Sequence, residues 1–285
     1  MFPPIAELAR GPKRIVALAP SITETLFALG EQHRLVGVTR HCTYPEDANR
    51  IPRIGGFQKV GVDEVLALKP DLVIGSSFLH RDHMRALVEA EVRVLCQNPT
   101  SLLEVIEDFI LLGRLVERES EGRMLASSMR DELTAVAAAA RSLHRRPRVY
   151  AEEWGPSDPL YMVGDWAAEM VTLAGGDNVF ADRKLRVPSP GRVVSAADVV
   201  ARDPDLFLAA WCGMGEKVSL ERIARRPGFA ELRVIRDGWV RVVDDQFVMR
   251  PGPRLAEGAR RMHAIFAEWG RAPVGPLPAG QVGLR

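Results

Sequence analysis

One pattern of twelve residues occurs twice in the chain, at residues 63–74 and 197–208. In each copy an apolar helical segment is ended by a proline, which is followed by an aspartate and a short apolar strand. The copies are separated by 134 positions, and an acid occupies the same place in both, Glu64 and Asp198. We interpret the repeat as two lobes of one architecture, although helix–proline–strand is also a common local solution.

A second, weaker repeat links residues 24–30 with residues 169–175. Short apolar runs alternate with helical segments in the N-terminal part of the chain, at 14–19, 35–38, 71–74 and 92–96. Such alternation is typical of a parallel sheet with helical cover. We therefore predict an α/β fold of two lobes, each with a central, mostly parallel sheet covered by helices.

Residues 101–143 carry no strand signal, and apolar residues recur there in steps of three and four. The stripe consists of Leu125, Met129, Leu133, Val136, Ala140 and Leu143. One long helix joining the lobes is the simplest interpretation. We predict an N-terminal lobe at 1–115, a connecting helix at 116–146, a C-terminal lobe at 147–270 and a flexible tail at 271–285.

Local signals mark several element ends. Ser21 and Glu24 are spaced as a capping box at the start of the first helix, and Gly30 is its predicted stop. Asp165 is predicted to cap a helix in the second lobe. The dipeptide at 237–238, Asp-Gly, is typical of a hairpin turn between two strands.

Charge and cysteine content exclude several classes of function. The 38 basic and 37 acidic residues leave a net charge of +1, which argues against a nucleic-acid binder. Three distant cysteines make a disulfide framework or a structural zinc improbable. No apolar run reaches the roughly 18–20 residues of a membrane span. We expect a monomer.

The N-terminal residues lack a basic stretch followed by an apolar one, so they do not read as a secretory signal. The sequence as written therefore predicts a cytoplasmic protein. The alternative is an exported, periplasmic or extracellular protein whose true start lies upstream.

Catalytic motifs are missing from the sequence. It contains no G-x-S-x-G, no P-loop and no G-x-G-x-x-G, and we predict that the protein is not an enzyme. His80 and His83 could share a metal on a helix, but neighbouring arginines favour a solvated helix start. His41 lies in a long loop, residues 40–60, where it could contact a ligand or a metal centre.

Aromatic residues concentrate in the predicted loops: Tyr44, Phe57, Trp154, Tyr161, Trp166, Trp211 and Phe247. A single loop aromatic is as often pinned into the nearest core as exposed to a ligand. Seven together favour a binding site for a large, flat and partly apolar ligand.

Several segments together resemble class III substrate-binding proteins, which serve importers of cobalamin, haem and iron–siderophores. They are residues 16–24, Tyr44-Pro45, residues 55–57 and residues 67–73. Within the class, the chain is most similar to cobalamin-binding members, through residues 154–159, 164–170, 174–176 and 246–255. The resemblance covers roughly residues 13–270.

The resemblance implies two lobes joined by one long helix, with cobalamin or a related corrinoid bound between them as ligand and no catalytic cofactor. It also implies docking to an ABC transporter permease through an acid on each lobe, Asp63 or Glu64 and Asp198. Phe57 stands where a cobalamin-stacking aromatic is expected. Ser76 and Ser189 stand where the family has further stacking tryptophans, a departure that shifts this role to Trp154, Trp166 and Trp211.

From the loops and the resemblance together we predict a set of ligand contacts, with His41 the candidate contact to cobalt and no metal site. The set is Ser21, His41, Phe57, Glu153, Trp154, Asp158, Trp166, Trp211, Phe247 and Arg250.

Three alternatives stay open from the sequence. The first is a haem or iron–siderophore binding protein, whose anionic ligand would need a basic site. The arginines available for that site are Arg40, Arg53, Arg186, Arg192 and Arg250. The second is an enzyme, which needs a perturbed acid–base pair, and the third is an adaptor that docks through Glu64 and Asp198.

Overall fold

The computed structural model describes residues 11–56, 60–155, 159–183 and 192–273, without the side chains of 77–79. The chain divides into two compact units. Unit 1 comprises Met1–Pro99 and Leu103–Met129, and unit 2 comprises Thr100–Leu102 and Arg130–Arg285. Within the described ranges, every helix is too short or too polar to cross a lipid bilayer.

Unit 1 contains a four-stranded sheet. Its strands are β1 (Ile15–Ala17), β2 (Leu35–Val38), β3 (Leu72–Gly75) and β4 (Val94–Cys96). The order is β2-β1-β3-β4 and every pairing is parallel. Because parallel neighbours need a crossover connection, helices separate the strands in sequence, as predicted.

The helices of this part of the chain are α1 (Pro20–Ala28), α2 (Val62–Ala67), α3 (Ser77–Glu89, kinked at His80), α4 (Leu102–Leu115) and α5 (Glu119–Ala140). Alternate residues of β1 enter opposite cores. Ile15 and Ala17 pack in a cluster with residues of α1 and α4, and Val16 packs in a second cluster with residues of α2 and α3. The sheet is therefore covered on both faces, which explains why its strands read as continuous apolar runs.

Unit 2 contains a six-stranded sheet. Its strands are β5 (Arg148–Trp154), β6 (Leu160–Met162), β7 (Asp177–Asn178), β8 (Val193–Val194), β9 (Leu206–Ala209) and β10 (Val240–Val242). The helices are α6 (Asp165–Leu173), α7 (Ala196–Arg202), α8 (Leu220–Ala224), α9 (Arg233–Arg236) and α10 (Leu255–Arg271).

The parallel strands of unit 2 follow the order β7-β5-β9-β10, which is the unit 1 order applied to equivalent strands. The antiparallel strands β6 and β8 extend the sheet beyond the far half of β5. The predicted repeat of architecture is therefore confirmed. Register agrees as well, because Ile15 pairs with Leu72 and Val149 pairs with Leu206, 134 positions further on.

The repeat extends to a hydrogen-bonded joint formed by an arginine at the start of the first strand of each unit. Arg14 donates to the carbonyls of Leu68 and Lys69 at 2.7 and 3.0 Å. The backbone amide of Arg14 donates to the Asp71 carboxylate at 3.0 Å. We call this arrangement the arginine joint of unit 1.

Unit 2 has the same joint, 134 positions later. Arg148 donates to the carbonyls of Arg202 and Asp203 at 2.6 and 2.8 Å, and its amide donates to the Asp205 carboxylate at 3.0 Å. Lys69 and Asp203 both adopt the left-handed conformation, with φ of 47° and 38°. Each precedes a proline, which disfavours the right-handed helical region, and the arginine satisfies the exposed helix carbonyls.

The helical stretch after unit 1's sheet is two helices, α4 and α5, which corrects the prediction of one helix over 101–143. Glu117 has φ of 64°. The amides of Glu117 and Arg118 donate to the carbonyls of Arg114 and Gly113, a pattern that ends a helix. Sequence alone missed this stop because the left-handed residue is a glutamate. The predicted connecting segment at 116–146 becomes α5, and the division between units falls inside it, at 129/130.

Three other local predictions were wrong. The N-cap of the helix Asp165–Leu173 is Gly164, so Asp165 is the first residue of that helix and not its cap. Helix α1 begins at Pro20 with Ala19 as its N-cap, so Ser21 is the second helical residue and forms no capping box with Glu24. The segment at 237–238 is the end of α9, since the amide of Trp239 donates to the carbonyl of Val234 at 2.8 Å. Strand β10 then runs parallel to β9, so no hairpin forms. The predicted stop at Gly30 is confirmed by its φ of 75°.

Candidate functional site

Strand order locates the candidate site in each unit. In open α/β sheets ligands bind beyond the carboxyl ends of the strands, where the strand order reverses. In unit 1 this point lies between β1 and β3, and in unit 2 between β5 and β9. We call these regions the carboxyl edges of unit 1 and of unit 2.

The carboxyl edge of unit 1 is small and polar. Ser21 lies there in the first turn of α1 and is buried, and His41 is half-buried in the loop after β2. Ser76, directly after β3, donates from its hydroxyl to Asn98 at 2.8 Å. The amide of Ser76 donates to Nδ1 of His80 at 3.2 Å, and the His80 side chain is fully buried. Ser21 and His41 therefore lie at the same edge, whereas His80 belongs to the core, which corrects the expected solvated helix start.

The carboxyl edge of unit 2 is built around a buried carboxylate, Glu152 on β5. Arg226 donates to both of its oxygens, at 2.8 and 2.9 Å. The Tyr150 hydroxyl and the Trp211 indole N–H donate to it at 2.6 and 2.7 Å. Arg226 also donates to the carbonyl of Gly155, so it ties the end of β5 to the segment after β9.

Burial is the largest influence on the pKa of both Glu152 and Tyr150. Burial raises the pKa of Glu152, while the donors from Arg226, Tyr150 and Trp211 lower it. Burial and the adjacent carboxylate hold the pKa of Tyr150 well above its ordinary value, so the phenol stays protonated and donates. Glu152, Tyr150 and Arg226 thus form a closed hydrogen-bonded network.

A second ionic group lies beside the first and consists of Arg192, Glu153 and Asp165. Arg192 precedes β8, Glu153 lies near the end of β5, and Asp165 is the first residue of α6. The guanidinium of Arg192 is in ion-pair contact with Glu153, and its Nη1 lies 3.6 Å from Oδ2 of Asp165. We call these three residues the Arg192 triad.

Charged side chains also surround Cys212, a neighbour of the triad. Its thiol reaches solvent, yet the protein packed around it raises its pKa to about 12. Asp245 adds to that rise, and Arg192 and Arg250 oppose it. The thiol thus lies in a recess of unit 2 among two arginines and an acid, and it is protonated at neutral pH.

The aromatic residues predicted to stack on a ligand occupy different environments. Trp154 at the end of β5 is 38 % exposed. Trp166 is half-buried and donates from its indole to the carbonyl of Val248 at 2.9 Å. The Phe247 ring lies under Arg261, whose guanidinium carbon is 3.9 Å from the ring centroid. Trp211 is only 1 % exposed and packs in the core, which corrects its assignment as a stacking platform.

Two predicted contacts, Phe57 and Asp158, lie outside the described residues, as do Ser189 and Arg186. In the part of the chain that the structure describes, no group of three or more metal-ligating side chains is placed to hold a metal ion.

Neither Arg226 nor Asp165 was predicted as a member of this region, and Arg192 was named only among the arginines available to an anionic ligand. Arg226 lies in a segment, residues 222–226, that contains three arginines, and such a cluster is typical of a solvated helix end. A usable signal was present in β5, where two adjacent acids stand inside an otherwise apolar strand. Acids are almost never buried without a partner, so this pair calls for buried cations elsewhere in the chain.

The acids predicted to dock a partner occupy equivalent positions in the two units. Glu64 is the third residue of α2 and Asp198 the third residue of α7, each in the first turn. Asp63 and Glu64 are exposed. Asp198 forms a capping box with Ser195 and lies 3.3 Å from Arg183. The bonds from Ser195, together with nearby arginines, lower the pKa of Asp198.

Comparison with known proteins decides the family. A family model described as periplasmic binding protein matches residues 15–247. The chain belongs to the periplasmic binding protein family. Members of this family are binding proteins, and the class III identity predicted from the sequence is confirmed. Their two-lobed α/β architecture agrees with the two units described above.

Relatives of this periplasmic binding protein carry different ligand names. It is 28% identical over 262 residues to the substrate-binding lipoprotein YvrC of an ABC transporter in Bacillus subtilis, covering 90% of this chain and 80% of that one. It is 28% identical over 208 residues to a vitamin B12-binding protein of Yersinia pestis, covering 71% of each. Among solved structures, the haem-binding protein RhuT of Roseiflexus superposes with a TM-score of 0.80 at 25% identity, covering 92% of this chain and all of that one.

Proposed function

We propose that this protein is the substrate-binding component of an ABC importer and that it binds cobalamin or a related corrinoid. Family membership supports the binding role, and several relatives are named vitamin B12-binding proteins. The observation that carries the choice of ligand is the carboxyl edge of unit 2, where exposed and half-buried tryptophans adjoin charges of both signs.

A corrin ring offers broad apolar faces and a rim of neutral carboxamides. Trp154 and Trp166 provide aromatic surface at the carboxyl edge of unit 2. Stacking of this kind contributes about 0.5–1.5 kcal/mol beyond the buried area for each ring. Glu153 and Arg250 lie in the same region and could bond rim amides, while Ser21 and His41 present polar groups at the carboxyl edge of unit 1. His41 remains the proposed contact to cobalt, and Phe57 and Asp158 remain proposed ligand contacts.

Haem or an iron–siderophore is the second candidate, supported by the haem-binding name of RhuT. An anionic ligand needs arginines that are free to face it. Arg53 instead donates to the carbonyls of Thr39 and Cys42 at 2.8 and 2.7 Å. Arg192 is neutralised by two acids. The Arg53 guanidinium is thus held by the backbone, and two acids offset the charge of Arg192, so these two arginines are not free to face a haem propionate or a siderophore.

Ligand titration tests the choice directly. Purified protein should bind cyanocobalamin with a Kd below about 10 µM, measured by calorimetry and by the visible absorption of the corrin. Haemin, titrated in parallel, should bind at least about tenfold more weakly. Absence of cyanocobalamin binding at this concentration would overturn the corrinoid assignment, and tight haemin binding would replace it with the second candidate.

We also propose that Glu64, with Asp63 beside it, and Asp198 dock the protein onto cationic residues of the importer's permease. Their equivalent positions in two repeated units support this role, since a transporter with paired subunits presents paired surfaces. Asp198 would exchange its contact with Arg183 for one with the partner.

The family and the lipoprotein relative favour the exported alternative over the cytoplasmic expectation. Cell fractionation that found the protein only in the cytoplasm would contradict export.

Charge reversal tests docking separately from ligand binding. The double variant Glu64→Arg and Asp198→Arg should abolish stimulation of the importer's ATPase and leave cyanocobalamin affinity within about twofold. Asp131→Arg, an exposed acid on α5, is the matched control and should leave both unchanged. Undiminished stimulation by the double variant would refute the docking surface.

A further inference from the structure

The Arg192 triad differs from an ordinary buried ion pair in its charge count. One guanidinium faces two carboxylates, and the side chains of Arg192, Glu153 and Asp165 are 10%, 15% and 2% exposed. The triad lies at the carboxyl edge of unit 2, the place where the fold puts ligands. Buried charges that are not needed to hold the framework are a reason to look for a ligand.

The neighbouring Glu152 network shows what a purely structural ion pair looks like in this unit. Glu152 receives four donated hydrogen bonds and Arg226 is bonded through both terminal nitrogens. In contrast, Nε of Arg192 is buried and meets no acceptor among the residues that the structure describes. A buried donor without an acceptor is destabilising, and an acceptor on a ligand can recover that loss.

The charges around the triad restrict which ligand group can accept a hydrogen bond from Nε of Arg192. Among the residues that the structure describes, Arg192 and Arg250 are cations of this recess, and Glu153, Asp165 and Asp245 are acids. A ligand carboxylate at Nε of Arg192 would lie beside two acids of the same sign, and such juxtaposition costs several kcal/mol. A carboxamide offers a carbonyl to the guanidinium and an N–H to a carboxylate, so it satisfies both partners without adding charge.

We propose that the Arg192 triad is a carboxamide subsite, which selects ligands whose rim carries neutral amides over ligands whose rim carries carboxylates. The proposal rests on the proposed corrinoid function. It adds Arg192 and Asp165 to the ligand contacts, and it predicts that the site prefers carboxamides to carboxylates on the ligand rim. It also gives a physical reason for rejection of haem, whose rim groups are carboxylates.

The experiment compares two forms of one ligand. In the monocarboxylate derivatives of cyanocobalamin, a single rim carboxamide is hydrolysed. Each derivative therefore differs from cyanocobalamin only in having one carboxylate in place of one neutral carboxamide. At pH 7.5 the unmodified protein should bind at least one monocarboxylate isomer about tenfold or more weakly than cyanocobalamin. In the Glu153→Gln and Asp165→Asn double variant, the discrimination should fall below about threefold, chiefly because the carboxylate form binds better.

The substitutions at Glu153 and Asp165 are chosen so that the variants fold as the unmodified protein does. Asp165 has φ of 51°, a conformation that asparagine tolerates almost as well as aspartate. Asp177→Asn is the matched control, since Asp177 is ion-paired with Arg146 at 3.0 Å and lies at the opposite, amino end of β5. It should preserve the discrimination of the unmodified protein. If the double variant does not fold, Glu153→Gln alone should still reduce the discrimination at least threefold.

The outcomes separate this proposal from the proposed function. If the unmodified protein fails to bind cyanocobalamin, the corrinoid function is wrong. If it binds cyanocobalamin and all the monocarboxylates alike, the function stands and the carboxamide subsite is refuted. Unchanged discrimination in the triad variants refutes the subsite as well.

Discussion

The two units share a framework and differ at their carboxyl edges. Both have the strand order 2-1-3-4, the arginine joint, and a left-handed residue before the proline. At the carboxyl edge, unit 1 presents serines, an asparagine and histidines. Unit 2 presents two ionic groups and tryptophans. A duplicated framework can keep its folding determinants while the strand ends diverge, because ligand contacts lie outside the core that stabilises each unit.

The difference also shows how each unit treats buried charge. In unit 2, Glu152 is fully buried and is matched by Arg226. In unit 1, Asp108 on α4 is half-buried, and no cation contributes to its pKa: the Gln97 side chain lowers that pKa, while burial, Glu104 and Glu107 raise it. We therefore expect the energetic response to charge changes to differ sharply between the units.

The largest effect should come from Arg226→Ala. It leaves Glu152 buried without its cation, and breaking a buried pair in this way costs about 3–5 kcal/mol. The loss should be confined to unit 2. Hydrogen exchange that resolves the two units is the suitable measurement, because unfolding of a two-unit chain is not a single two-state step.

Arg225→Ala is the control for this prediction. Arg225 is adjacent in sequence but 76% exposed, and it pairs only with Glu221 one turn away. Surface pairs of this kind contribute about 0.5 kcal/mol or less. Equal destabilisation by both variants would show that the Glu152 network contributes no more to the stability of unit 2 than a surface ion pair does.

The next effect tests the repeat itself. Arg14→Ala and Arg148→Ala each remove two hydrogen bonds to helix carbonyls, worth about 1 kcal/mol apiece. We expect each to destabilise its own unit by about 1–2 kcal/mol and the other unit by nothing measurable. If one variant proves neutral while the other is costly, the joints are equivalent in geometry but not in energy.

An effect of comparable size, but dependent on pH, is expected in unit 1 alone. Burial raises the pKa of Asp108 to about 6, with Glu104 and Glu107 adding to the rise. A raised folded-state pKa means that stability is highest below the unfolded pKa near about 4 and falls as pH rises through about 6. Asp108→Asn should remove this fall and stabilise unit 1 by about 1–2 kcal/mol at pH 7.5, with little effect at pH 4. Denaturant titrations at the two pH values measure it, and an equal gain at both would exclude Asp108 titration as the cause.

Features set by local sequence were predictable. The helix–proline–strand repeat predicted two equivalent units, and the glycine stop at Gly30 and the helix after Ser195 are where the pattern placed them. Ser21, His41, Glu153 and Trp154 lie at carboxyl edges because they follow or end predicted strands. In each case the residues that determine the feature are close together in the chain.

Features set by distant partners were not predictable. The partner of Glu152, Arg226, lies 74 positions away, within an arginine-rich segment that resembles a solvated helix end. Trp211 was assigned to a ligand because its loop position was visible, while its bond to Glu152 was not. The break between α4 and α5 was missed because Glu117 takes a conformation usually reserved for glycine.

The most direct test of the account is a hydrogen-exchange footprint of cyanocobalamin on the intact protein. The account predicts added protection at the carboxyl edge of unit 2, in residues 152–155, 211–215 and 244–250, and none at the amino end of the same sheet around Arg148 and Asp177. Protection at the amino end, or binding without protection at the carboxyl edge, would contradict it.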